Sequence, residues 1–212
     1  MEKLFGNNLM RLVMVLLTIV STNVWSENID SELNSAADKG NFSLVKKILD
    51  SKTIERDTLH TAFWIAIKKG NPAIIERFLQ AGVDVNLRAD NSYTPLMQVA
   101  RDGRDQVVEL LLAAGADVNA VSDEKDTALI LASEKDRRKV VALLLAANAD
   151  VNARRNNGMS ALLLAAQEGH QQTIQALIKA KADVNSQLEN GATPLMLAAQ
   201  HGHLGAVHSL IA

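Results

Sequence analysis

The chain has 212 residues, 48% of them hydrophobic but only 3% aromatic, a formal net charge of −2 and no cysteine. Its core must therefore be built from Leu, Ile, Val and Ala, which suits thin layers of paired helices better than a thick globular centre. Disulfides and thiolate chemistry are excluded, and with no basic block and no interleaved aromatics, nucleic acid is not an expected partner.

Residues 1–26 read as a secretory signal peptide. Lys3 and Arg11 supply positive charge, Leu12–Val20 an apolar run, and Val24-Trp25-Ser26 a cleavage site with small residues at −3 and −1. The nine-residue run is too short to span a bilayer, which takes about 20 residues. Retention by an uncleaved N-terminal signal anchor is the alternative. Next comes a degenerate unit, 27–57. Here Leu44, Val45, Ile48 and Leu49 form an apolar helical face after the turn at Lys39-Gly40-Asn41. It is read as an N-terminal cap, because an end unit has only one neighbour.

From Thr61 onward three series keep one pitch of 33 residues. They are Thr61, Thr94, Thr127, Ser160 and Thr193; Gly70, Gly103, Asp136, Gly169 and Gly202; and the Asp-Val-Asn triplets beginning at Asp84, Asp117, Asp150 and Asp183. Equal pitch in three independent series marks a stacked repeat array. The units are 58–90, 91–123, 124–156 and 157–189, with a partial unit at 190–212. Within 91–123, Thr94 is placed to cap a helix whose first position is Pro95, where a missing N–H costs nothing. Gly103 turns the chain into a second helix carrying Val107, Val108, Leu110, Leu111 and Leu112. Gly115 stands where helices commonly end in a left-handed residue.

With Thr94-Pro95-Leu96, Gly103 and Leu110–Asn119 (LLLAAGADVN) as its signature, the pattern resembles the ankyrin repeat from Thr61 to the end of the sequence. The resemblance implies an all-α solenoid of helix-turn-helix units joined by short β-hairpin-like loops. It also implies a binding surface on the hairpin tips and the exposed side of the first helices. By register the tips are Arg88–Tyr93, Val121–Asp126, Arg154–Met159 and Gln187–Ala192. The helix ends carry Lys68, Lys69, Arg101, Asp102, Glu134, Lys135, Gln167, Glu168, Gln200 and His201. Candidate protein-binding residues are Tyr93, Arg101, Asp102, Asp123, Glu124, Asp126, Glu134, Lys135, Arg154, Arg155, Gln167 and Glu168. Tyr93 and Arg101 are the expected anchors, since Tyr and Arg are frequent hot spots. Simple packing of Tyr93 on the adjacent loop is the alternative.

Departures from the family pattern matter. The slot that usually holds His carries Trp64, Met97, Ile130, Leu163 and Met196, so packing must replace a hydrogen-bonded network. Asp136, Asn148 and Lys181 stand in turn or helix-ending positions that favour glycine, and Lys181 is the costly one.

Weak chemical motifs are explained by the repeats. Ser43-Leu-Val-Lys46 lacks the companion motifs of an enzyme. His203 fills the slot after the turn, as His170 does one unit earlier, and His201 and His203 are expected to point apart as i, i+2 neighbours. The Asp series is assigned to loop hydrogen bonding, and Asn41-Phe42-Ser43 is a three-letter glycosylation match. No catalytic, cofactor or metal site is expected. The expected function is that of an exported, non-enzymatic scaffold, monomeric and free of the membrane after cleavage, that binds another protein in the periplasm or outside the cell. A structural protein self-associating through the C-terminal edge is the alternative.

Overall fold

The structure, a computed structural model, describes residues 29–51 and 54–212. The expected signal segment, 1–26, and its expected cleavage site lie outside the described residues. The described residues fall into two compact units that divide between Ala66 and Ile67. In the first, α1 (29–38) is followed by α2 (Phe42–Ser51). The side chain of Asn41 accepts the N–H of Leu44 at 3.1 Å and so caps α2. Val45 and Ile48 are buried on α2, while Leu44 and Leu49 flank them at partial exposure.

The division between the units falls inside α3 (Arg56–Lys69). This helix departs from the sequence expectation. Thr61 does not cap it but sits within it, its hydroxyl donating to the carbonyl of Asp57 at 2.9 Å. The four residues before Thr61 contain no Pro or Gly to stop the helix, so it begins earlier than its counterparts.

In the second unit the chain builds α4 (Pro72–Gln80), α5 (Pro95–Asp102), α6 (Asp105–Ala113), α7 (Ala128–Glu134) and α8 (Arg138–Ala146). It continues through α9 (Ala161–Gln167), α10 (Gln171–Lys179), α11 (Pro194–Gln200) and α12 (Leu204–Ile211). These helices lie in two rows: α5, α7, α9 and α11 pack in succession, as do α4, α6, α8, α10 and α12. Each first helix also packs on its own second helix. The first helices start alike because Thr94, Thr127, Ser160 and Thr193 each accept the N–H three residues on, at 3.2–3.3 Å.

The core is apolar and thin. Val107, Val108 and Leu111, then Val140, Val141 and Leu144, then Ile174 and Leu177, are buried at matching positions of successive second helices. Each such side chain contributes roughly 1.5–3 kcal/mol by leaving water. In the slot where the family usually has His, Met97, Ile130 and Leu163 are fully buried, so packing does hold the first helices there. Met196, in the same slot on α11, is 59% exposed.

Two glycines show why this residue type recurs. Gly115 ends α6 at φ +87°, and Asn148 and Lys181 adopt the same left-handed geometry at φ 64° and 68°. Gly103 (φ +77°) has a second constraint, because a Cβ there would lie 2.7 Å from Cδ of Arg137. Among the described residues there is no strand beyond an isolated bridge between Arg154 and Ser160. Each loop instead closes a single hairpin rung, with Ala89, Ser122, Arg155 and Leu188 donating to the carbonyl four residues on.

The Asp and Asn side chains tie these loops together. Asn86, Asn119 and Asn152 each accept the backbone N–H of the next unit's Asp117, Asp150 or Asp183 at 2.8–2.9 Å. Asp84, Asp117, Asp150 and Asp183 each accept the N–H two residues on at 2.9–3.0 Å. Side chains so engaged form a framework rather than a carboxylate site.

Candidate functional site

Between the hairpin tips and the ends of the first helices lies a cleft of about 500 Å³. It is lined by Tyr93, Arg101, Glu124, Asp126, Glu134, Lys135 and Arg155, with Leu131 and Asn157. The stacking of α5 on α7 and the pairing of loop tips bring these residues together from three consecutive units. The tips are bonded edge to edge, Asp123 N–H to Asn91 O and Asn156 N–H to Glu124 O, both at 3.1 Å.

The helix ends on the opposite wall are held by an independent device. Arg137 donates through Nε to the carbonyl of Arg101 at 3.0 Å. His170 and His203 make the equivalent contacts to the carbonyls of Glu134 and Gln167 at 3.0 and 2.9 Å. A carbonyl can only accept, so each ring carries its proton on Nε2. These histidines are clamps between units. The rings of His201 and His203 do not point apart; they stack at 6.2 Å between centroids, because Gly202, left-handed at φ +74°, separates them in a turn rather than a helix.

Tyr93 is half-buried and packs on Met97, Ala120 and Leu131, with its hydroxyl buried and without a hydrogen-bond partner. The guanidinium of Arg101 sits over its ring, 5.7 Å from the centroid. Burial pushes the Tyr93 phenol above its ordinary pKa, against an opposing pull from Arg101, so the ring is neutral near pH 7.

The charged groups form a chain. Arg155, whose side chain is only 18% exposed, pairs through Nε with Asp126 and through Nη2 with Glu134 at 2.6 Å. Lys135 Nζ reaches the other oxygen of Glu134 at 2.9 Å. Burial acts to raise the pKa of Glu134, but the hydrogen bonds from Lys135 and Arg155 outweigh it and hold the carboxyl below its usual range.

Five of the sequence candidates lie outside the cleft lining. Asp102 stands beside it, accepting from Gln98 at 2.8 Å and lying 3.8 Å from Arg101. Asp123 serves through its backbone at the tip contact. Arg154 is turned away from Arg155 and donates to the carbonyls of Gly158 and Gln187 at 3.2 and 2.8 Å, as Arg88 does to Ser92 and Val121. Gln167 and Glu168 bond to each other at 3.0 Å. Leu131 and Asn157 were missed. Asn157 lies in an expected tip, whereas Leu131 reads in sequence as one more core leucine. Among the described residues no group of His, Asp or Glu is arranged to hold a metal ion, and no helix is long and apolar enough to cross a membrane.

The family pattern for ankyrin repeats (3 copies) matches residues 33–122, 63–155 and 129–212. The chain belongs to the ankyrin-repeat family. No curated protein matches it. Ankyrin repeats generally mediate protein–protein interaction, and ankyrin-repeat proteins are typically non-enzymatic scaffolds. In this ankyrin array the framework bonds are made by the Asn ladder, by Arg88 and Arg154, and by the Arg137, His170 and His203 clamps. The cleft is lined by a different set of side chains, which changes in charge from unit to unit.

Proposed function

We propose that this chain is an exported, non-enzymatic ankyrin-repeat scaffold that binds one other protein as a monomer, on the face formed by the hairpin tips and first-helix ends. The observation that carries the reading is the cleft itself. Its walls are positioned by bonds that leave Arg101, Glu124 and the half-exposed Lys135, which also pairs with Glu134, facing a partner, and both signs of charge suit a patterned protein better than a polyanion. Export rests on the leader in residues 1–26. A Gram-negative periplasm is the compartment that best suits so short a leader, and eukaryotic secretion is the alternative address.

The test uses the chain beginning at Glu27 as bait in extracts of its native compartment. Because Tyr93 packs on the core, its truncation would confuse binding with stability, so the exposed groups carry the test. Replacing Arg101 and Lys135 together by Ala should weaken capture roughly tenfold or more, as loss of a hot spot does, with the helical signal and melting unchanged. Changing Gln106 or Arg138 on the second helices should leave capture intact. The reverse result moves the binding site to the other face and defeats the reading. Light scattering of the same chain checks the monomer, and N-terminal sequencing of the exported protein should begin Glu27-Asn28-Ile29.

A further inference from the structure

Four of the charges lining the cleft satisfy one another. Lys135, Glu134, Arg155 and Asp126 form a linear chain of contacts in which two cations meet two carboxylates. Arg101 and Glu124 stand outside it. Glu124 belongs to a loop tip, where one carboxylate oxygen accepts from Asn156 at 3.4 Å. Arg101 is the more unusual group. Its side chain is 44% exposed, and its polar contacts are long, 3.4 Å to Gln98 and 3.8 Å to Asp102.

Yet Arg101 is not loosely held. Its carbonyl is clamped by Arg137, and its guanidinium lies over a Tyr93 ring that is itself fixed against Met97, Ala120 and Leu131. A guanidinium lying over an aromatic ring keeps its N–H groups available for hydrogen bonding, and that fork matches a carboxylate. Beside it, the Tyr93 ring and Leu131 offer apolar surface to a short aliphatic stem. The surrounding acids, Asp102, Glu124, Asp126 and Glu134, oppose any build-up of negative charge, which favours a single monoanion over a phosphate dianion.

We infer that Arg101 receives a carboxylate from the protein partner, the side chain of an Asp or Glu whose stem rests on Tyr93 and Leu131. This rests on the binding face proposed above and adds the chemistry of what that face recognises.

The experiment is an NMR titration of the isotope-labelled chain from Glu27 to Ala212 at low ionic strength. The probes are the N-acetyl methylamides of glutamate, glutamine, lysine and O-phosphoserine, observed at the Arg101 side-chain Nε–H and the Leu131 methyls. The glutamate probe should bind roughly tenfold tighter than the glutamine probe, the difference expected for a charge-assisted pair. Its shifts should vanish in Arg101→Gln and weaken in Arg101→Lys, which keeps the charge but loses the fork. A glutamate response no larger than that of glutamine overturns the inference. So does tighter binding of the lysine or phosphoserine probe, or a glutamate response that survives Arg101→Gln. Failure here with capture still lost in the Arg101/Lys135 double variant leaves the proposed face standing. Capture that depends on Gln106 or Arg138 defeats that face independently.

Discussion

Arg155 donates through Nη2 to Glu134 at 2.6 Å, tying the hairpin tip that closes a unit back to the end of that unit's first helix. The pair is only partly exposed, at 18% and 24%. It is therefore screened less than a surface ion pair, and removing either partner leaves the other with only its second neighbour, Asp126 for Arg155 and Lys135 for Glu134.

That arrangement sets a pH dependence. Folding lowers the pKa of Glu134 below its ordinary value of 4.5. The associated stability is complete above the unfolded value and is lost as pH falls through the lower folded value. Glu134→Gln should therefore melt below the wild type at pH 7, with the gap closing below about pH 4. Melting curves across this range check it, and a gap that widens toward acid would contradict the assigned sign.

Ser133 occupies a slot filled by Ala100 and Ala166 in neighbouring units. All three are fully buried, and the Ser133 hydroxyl has no partner. An unsatisfied buried polar group costs about 1–3 kcal/mol. Ser133→Ala should raise stability by about 1 kcal/mol, and its urea midpoint should move up with an unchanged slope.

Lys181 ends α10 at φ 68°, where Gly82 and Gly115 end earlier helices. Nothing lies within 4 Å of a Cβ built on either glycine, so the penalty at this position comes from the backbone rather than from crowding. Lys181→Gly should stabilise the chain by up to about 1 kcal/mol. A falling denaturation midpoint would mean that the lysine stem contributes packing worth more than the strain.

Val121 is the odd member of another series. Arg88 and Arg154, one pitch to either side, each bridge their own loop to the next through two backbone carbonyls. Val121 is 44% exposed and leaves the corresponding carbonyls of Lys125 and Arg154 without that bridge. Val121→Arg should supply it and stabilise by about 0.5–1 kcal/mol. Amide exchange in 121–126 should slow in the variant, and unchanged exchange would show that the loop does not accept the bridge.

The sequence by itself determined the features whose physics is local. Helix caps at Thr94, Thr127, Ser160 and Thr193, left-handed positions at Gly115, Asn148 and Lys181, and the Asx turns at each Asp each depend on residues a few positions apart. A strict 33-residue pitch displays them directly. Even so, Thr61 matched its series and was not a cap, because whether a helix can start earlier depends on the residues preceding it. Only the tertiary structure decided which side chains distant in sequence meet. Arg154 and Arg155 are adjacent and chemically identical in sequence, yet one binds loop carbonyls and the other fills the cleft between Asp126 and Glu134. Likewise Tyr93 reads as an exposed tip aromatic, and the stacking of α7 against its unit half-buries it beneath Arg101. Such outcomes turn on how loops and helices stack and on the rotamers this allows, which the repeat pitch does not encode.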